Sequence, residues 1–325
     1  MVRRHLISLF LASALCGVAR PTAGSPPIEP ATFHWKGESR IIKFHSKVPV
    51  GTLRVLMLKA TDGSPLPEPS LGPAVGAVSV PKDREVSLVV SYDGSLYLAW
   101  LDSLGPNDLQ GLEFITTGLT DDGLQHIEHL SGLKRLDLRD NELTDKALEH
   151  MAPLKKLESV ALDRLGITDE GLKILSNFQS LKYLSLSHNN LDGSGLKYLK
   201  NLKNLHCIDI SSTPMNGQPL KYLDQQELSD LNAMSSKVSD ADCAIFRNLK
   251  LTGTLSLSKC AISNAGLRNL GTLPRLRQLW VMGTQIDAKG VQAFKRTNPR
   301  CQVIWDPNAD AEHTKMMKRL SDEIK

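Results

Sequence analysis

Residues 133–151 read LKRLDLRDNELTDKALEHM, and residues 181–199 read LKYLSLSHNNLDGSGLKYL. The two stretches share one frame, and the frame recurs: Leu109, Leu133, Leu157, Leu181 and Leu205 stand 24 residues apart. A fixed period of this length marks a solenoid, in which each unit buries its apolar face against the next because it cannot do so alone. Counting from that leucine as position 1, positions 4, 6 and 11 are apolar. They are Leu136, Leu138 and Leu143 in the second copy, Leu184, Leu186 and Leu191 in the fourth, and Leu279, Val281 and Ile286 in the eighth. The alternation at positions 4 and 6 predicts a short strand with one buried face.

The second half of each copy reads as a helix. Thr120, Thr144 and Thr168 are predicted N-caps, and Asp121, Asp145 and Asp169 follow where a helix dipole favours negative charge. Leu148, Met151 and Leu154 then form a buried stripe, as do Leu172, Leu175 and Phe178. Capping accounts for the recurring aspartates more simply than a metal array does. Position 9 (Thr117, Asn141, Asn189 and Thr213 among others) reads as inward and structural. The sixth copy starts at Leu228, 23 residues after Leu205, and Pro214 and Pro219 precede it, which predicts an irregularity in helix packing over 214–230.

The expected organisation is a signal peptide at 1–23, a flexible N-terminus and β-rich cap at 24–108, eight repeats at 109–299, and a closing strand with a helical tail at 300–325. Arg3 and Arg4 precede the apolar run Leu6–Leu15, followed by small residues, which is a secretory layout; an uncleaved anchor is the alternative. In the leader, Leu53–Leu58, Ala77–Val80, Val86–Val90 and Leu96–Trp100 read as strands, and Leu88 sits one period before Leu112. The simplest account is a cap that pairs onto the first repeat strand; a separate ligand-binding β domain is the other.

The chain carries a net charge of +4, and losing Arg3, Arg4 and Arg20 with the signal leaves +1. That balance gives little support to nucleic-acid binding. Cys207, Cys243, Cys260 and Cys301 show no zinc spacing and no tight disulfide framework, so free thiols are expected. No later run is long and apolar enough for a stable membrane span.

Units of the form LxxLxLxxNxLTDxGLxxLxxL resemble bacterial leucine-rich repeats of the ribonuclease-inhibitor-like subclass. Together with the secretion signal, the β-rich leader and the closing NPRCQVIW, they resemble the secreted leucine-rich-repeat proteins of planctomycete bacteria. The resemblance implies an α/β solenoid with a curved parallel sheet on the concave side and helices on the convex side. It implies no shared catalytic residues.

On such a sheet, positions 3, 5, 7 and 8 face outward. The first copies present mixed charge through Arg135, Asp137, Arg139, Asp163 and Arg164. The middle is small and hydroxylic, with Tyr183, His188 and Asp209, and the last copy presents Trp280 and Met282. Trp, Tyr, Arg and Met are the residues enriched at interfaces, so these ten form the expected partner-binding surface. Trp280 is either exposed for a partner or covered by the tail.

His126-Ile127-Glu128-His129 lacks the HExxH spacing and reads as a solvated helix face. There is no GxSxG motif and no phosphate-binding glycine loop. The expectation is therefore an exported, non-enzymatic binding protein without cofactor, recognising a protein partner. Carbohydrate or cell-wall binding, or a structural envelope role, is the alternative.

Overall fold

A computed structural model of the chain describes residues 37–56 and 68–306. The expected signal peptide and helical tail lie outside the described residues. The chain divides into two compact units, one running to Ser185 and one starting at Leu186.

The first unit holds β1 (Ser39–Phe44), β2 (Gly51–Val55), β3 (Ser70–Pro73), β4 (Gly76–Pro81), β5 (Val86–Val90), β6 (Gly111–Glu113), β7 (Arg135–Asp137), β8 (Ser159–Ala161) and β9 (Tyr183–Ser185). β1 and β4 form an antiparallel pair of their own. β2 lies antiparallel between β3 and β5, and from β5 to β9 every pairing is parallel. The register follows the 24-residue period: Leu88 stands opposite Leu112, Leu112 opposite Leu136, and Leu136 opposite Val160.

The leader thus joins the repeat sheet one period early, and it also has a helical segment. Leu96–Trp100, read as a strand, leads instead into a 3-10 helix at Leu98–Ser103. Its alternating apolar and aromatic residues look strand-like, but the burial is helical: Leu98, Trp100 and Leu101 point inward. Trp100 packs against Phe44 at 6.0 Å between ring centroids and donates its indole N–H to Gly94 O at 2.9 Å.

The second unit holds β10 (Cys207–Asp209), β11 (Glu227–Asn232), β12 (Lys250–Ser256), β13 (Gln278–Trp280) and β14 (Gln302–Ile304), all parallel in that order. The irregularity expected in the helices near 214–230 falls instead in the strands, as a register shift between Leu228 and Asp230. Pro219 stands at the start of the 3-10 helix Gln218–Leu223, where its missing N–H costs nothing.

Positions 4, 6 and 11 are buried in both units, Leu112, Phe114, Leu184, Leu255 and Leu257 completely. The crossovers are short, so many of them wind as 3-10 rather than α-helix, including Asp121–Ile127, Ser194–Leu199 and Asp242–Asn248.

The threonine–aspartate pairs do more than the sequence suggests: Thr144 caps the helix Asp145–Met151 as expected, and the aspartates also act between copies. Thr120 makes no cap hydrogen bond, and Thr144 accepts only a long one, 3.4 Å from Lys146 N. Asp121 reaches the following copy and accepts from Thr144 N at 2.7 Å and Thr144 Oγ1 at 2.6 Å. Asp145 does the same to Thr168, and Asp240 to Ser263. These aspartates stitch one repeat to the next through charge-assisted hydrogen bonds.

The chain bends at position 8. Thr116 (φ 56°), Asp140 (58°), Arg164 (54°), His188 (60°), Ser212 (56°), Ser235 (58°) and Lys259 (58°) all adopt the left-handed conformation, which Gly283 (65°) takes in the eighth copy. Non-glycine residues rarely adopt it. At Thr116, Asp140, His188, Ser212, Ser235 and Lys259 the turn is secured by its N–H donating to the position 7 carbonyl of the next copy, as from Asp140 to Asp163 O at 3.0 Å and from Lys259 to Met282 O at 2.7 Å.

Candidate partner-binding surface

Strands end at position 5 and the backbone turns at position 8, so the outward face is narrower than strict alternation suggests. In the first unit, Arg135 is exposed on β7 and its guanidinium reaches Glu68 Oε1 at 3.3 Å. Asp137 and Arg139 pair with each other: Arg139 Nε lies 2.8 Å and 3.0 Å from the two carboxylate oxygens. Burial works against the Arg139 charge, but the Asp137 hydrogen bonds and the nearby Asp163 outweigh it, so its pKa is raised. Asp163 accepts a hydrogen bond from the Ser185 hydroxyl. Tyr183 is half-buried on β9.

Asp137, Arg139 and Asp163 therefore belong to one network. Arg164 stands apart from it, at the position 8 bend, and donates to Asp140 Oδ1 at 3.1 Å. Glu68, Arg54 and Glu113 complete the surroundings. Burial pushes the carboxyls of Glu68 and Glu113 up, and the Asp137 charge pushes Glu113 further. Glu68 lies far from the repeats in sequence, and no motif signals its approach to Arg135.

In the second unit, His188 sits half-buried at the position 8 bend rather than on a strand. Asp209, expected to face a partner, is buried at 4% exposure. It accepts from Ser211 N at 2.8 Å and from Asn232 Nδ2 at 2.9 Å. Burial raises its carboxyl above the usual range despite these donors. A carboxyl with a raised folded-state pKa keeps its proton to higher pH than the unfolded chain does, so its contribution to stability grows as pH falls. Compared with the non-titrating Asp209→Asn variant, the parent is expected to gain stability as pH falls from neutrality toward the free-carboxylate value of about 4. Urea unfolding of both across that range checks this, and a parent that loses ground on acidification refutes it.

Trp280 and Met282 occupy successive outward positions. Trp280 is half-buried and donates its indole N–H to Gln278 Oε1 at 3.3 Å, while Met282 is 43% exposed. The serines of the middle copies, Ser187, Ser211, Ser256 and Ser258, are buried.

The histidines of 126–129 are tied to their own surroundings: His126 Nδ1 lies 2.8 Å from Asp102 Oδ1, and His129 Nε2 lies 3.1 Å from Leu104 O. No group of three His, Cys, Asp or Glu side chains poised to hold a metal occurs among the described residues. The four described cysteines are free thiols. Burial pushes Cys243 up to about 12 and Cys301 up to about 11, which suppresses their thiolates. No helix among the described residues is long and apolar enough to cross a membrane.

A leucine-rich-repeat family profile matches residues 129–152 and 179–200. Among solved structures, an internalin (inlF) from Listeria monocytogenes is similar at 20% identity and a TM-score of 0.48, over 65% of this chain and 64% of that one. A plant peptide hormone receptor, RGFR1, solved in complex with RGF2, is similar at 20% identity and a TM-score of 0.45, over 70% of this chain and 36% of that one. The chain thus spans less than two thirds of either structure. No curated protein matches it. The matched repeats, the parallel strand register and the alternating short helices together show an α/β leucine-rich-repeat solenoid.

Proposed function

We propose that the chain is an exported, non-enzymatic recognition protein that binds a protein partner through the outward side of its repeat strands. The observation that carries this reading is Met282, 43% exposed beside Trp280 on consecutive outward positions. A large apolar side chain held in solvent next to an indole has the composition of an interface core rather than of ordinary surface. In the first unit, Arg135 and Tyr183 supply the same residue classes. Burial of Ser187, Ser211, Ser256 and Ser258 removes the hydroxyl array that a glycan at this place would use, so protein recognition is the better reading. The surface residues proposed are Arg135, Asp137, Arg139, Asp163, Tyr183, Trp280 and Met282, with Arg164 and His188 at the bends and Asp209 beneath the surface as support.

The test is affinity capture from the producing organism's envelope fraction. Residues 24–325 serve as bait beside an Arg135→Ala, Tyr183→Ala, Trp280→Ala triple variant whose fold is checked by circular dichroism. A protein retained by the parent and lost from the folded variant is the expected result. Equal retention by both overturns the strand-face reading.

A further inference from the structure

Five cations converge on one groove in the first unit. Arg40 comes from β1, Lys82 and Arg84 from the turn between β4 and β5, Lys134 from the residue before β7, and Lys156 from the residue before Leu157. The groove is open to solvent, has a volume of about 360 Å³, and is lined by only two carboxylates, Asp83 and Glu85. The pairing of β1 with β4, and of β5 one period ahead of the first repeat strand, brings these distant positions together. The small net charge of the chain conceals the cluster.

Part of this charge is already neutralised. Lys134 pairs with Glu85, Lys82 lies 2.8 Å from Glu38, and Arg40 lies 3.5 Å from the Asp108 carboxylate while also donating to Asp108 O at 2.9 Å. The Lys82 pair is largely exposed, and such pairs hold weakly in water, leaving the lysine able to exchange partners. Lys156 is exposed and has no hydrogen bond or ion pair among the described residues. Asn107 adds an exposed amide to the lining.

The lining holds no apolar or aromatic side chain. It therefore offers neither a platform for stacking a nucleic-acid base nor an apolar anchor of the kind that dominates protein interfaces. Lysines are compact point charges suited to separate oxyanion groups, and a groove whose lining carries an excess of cations, here five against two carboxylates, raises the local concentration of anions. We propose that this groove binds the sulfate or carboxylate groups of an acidic polysaccharide. The site is separate from the strand face and does not depend on what that face recognises.

The test is a calorimetric titration of the full chain with heparin, polygalacturonate, neutral dextran and double-stranded DNA at low and moderate salt. Sulfated or carboxylated polysaccharide is expected to bind, with affinity falling as salt rises, while dextran does not bind. The Lys82→Glu, Lys156→Glu double variant is expected to weaken that binding about tenfold. Reversing Lys289 and Lys295, exposed lysines of the second unit, leaves it unchanged. The sulfated and carboxylated probes separate the two oxyanion sources. The proposal fails if neither polysaccharide binds, if both double variants lose affinity equally, or if DNA binds more tightly than either polysaccharide.

Discussion

Asn141→Leu is expected to lower the unfolding free energy by about 3–5 kcal/mol, through loss of hydrogen bonds rather than of volume. Its Oδ1 accepts from Thr117 N at 3.0 Å, Thr117 Oγ1 at 3.1 Å and Leu119 N at 3.0 Å. Its Nδ2 donates to Phe114 O at 2.6 Å and Leu138 O at 2.9 Å. The side chain is 8% exposed and links two copies. Leucine would leave two backbone N–H groups buried without a partner, at about 1–3 kcal/mol each. Leu165 is buried at the equivalent place in the next copy, so the position accommodates leucine and the measurement reads the hydrogen bonds. Urea unfolding followed by circular dichroism checks this; a change below about 1 kcal/mol contradicts the role assigned to the residue.

Gly94→Ala is expected to cost about 2–3 kcal/mol and to act on the N-terminal cap. A Cβ at this position would lie 2.0 Å from Val50 O and 2.7 Å from Val50 C, which are backbone atoms that cannot swing aside. The same loop supports Trp100 through the Gly94 carbonyl, and Gly94 N donates to Ser91 Oγ at 3.2 Å. Moving Gly94 therefore disturbs the indole packed against Phe44. Because repeats are stabilised chiefly by their neighbours, a loosened cap should open the first copies before the later ones. Hydrogen exchange is expected to quicken over β5 and β6 in the variant while β12 and β13 keep their protection. Unaltered exchange throughout would show that the cap tolerates the methyl group.

The repeat was legible because its signal is redundant. Eight copies place apolar residues at positions 4, 6 and 11, and a single residue missing before Leu228 does not hide the frame. Leu88 was legible for the same reason, since it stands one period ahead of Leu112. Details that depend on contacts between copies were not. Thr144 and Asp145 carry the residue types of a helix cap, and nothing local says that Asp145 also reaches Thr168. The bend at position 8 is filled by Thr, Asp, Arg, His, Ser and Lys in seven copies, and only the eighth has, in Gly283, the glycine that usually announces a left-handed turn. It moves Arg164 and His188 off the strand face. Asp209 reads as exposed by alternation, yet it is 4% exposed and engaged by Ser211 and by Asn232, which stands opposite it on the next strand. The pairing of Arg135 with Glu68 joins residues 67 positions apart, beyond the reach of any pattern argument.

The most direct measurement of the central claim is the affinity of the captured partner for the parent and for Trp280→Ala, with Lys289→Ala as a control. If the outward strand face is the recognition surface, loss of the indole raises Kd by about thirtyfold or more, the size of an interface hot spot. The control stays within about twofold, as a change of under 0.5 kcal/mol implies. A Trp280→Ala variant that folds and binds with the parental Kd would contradict the account.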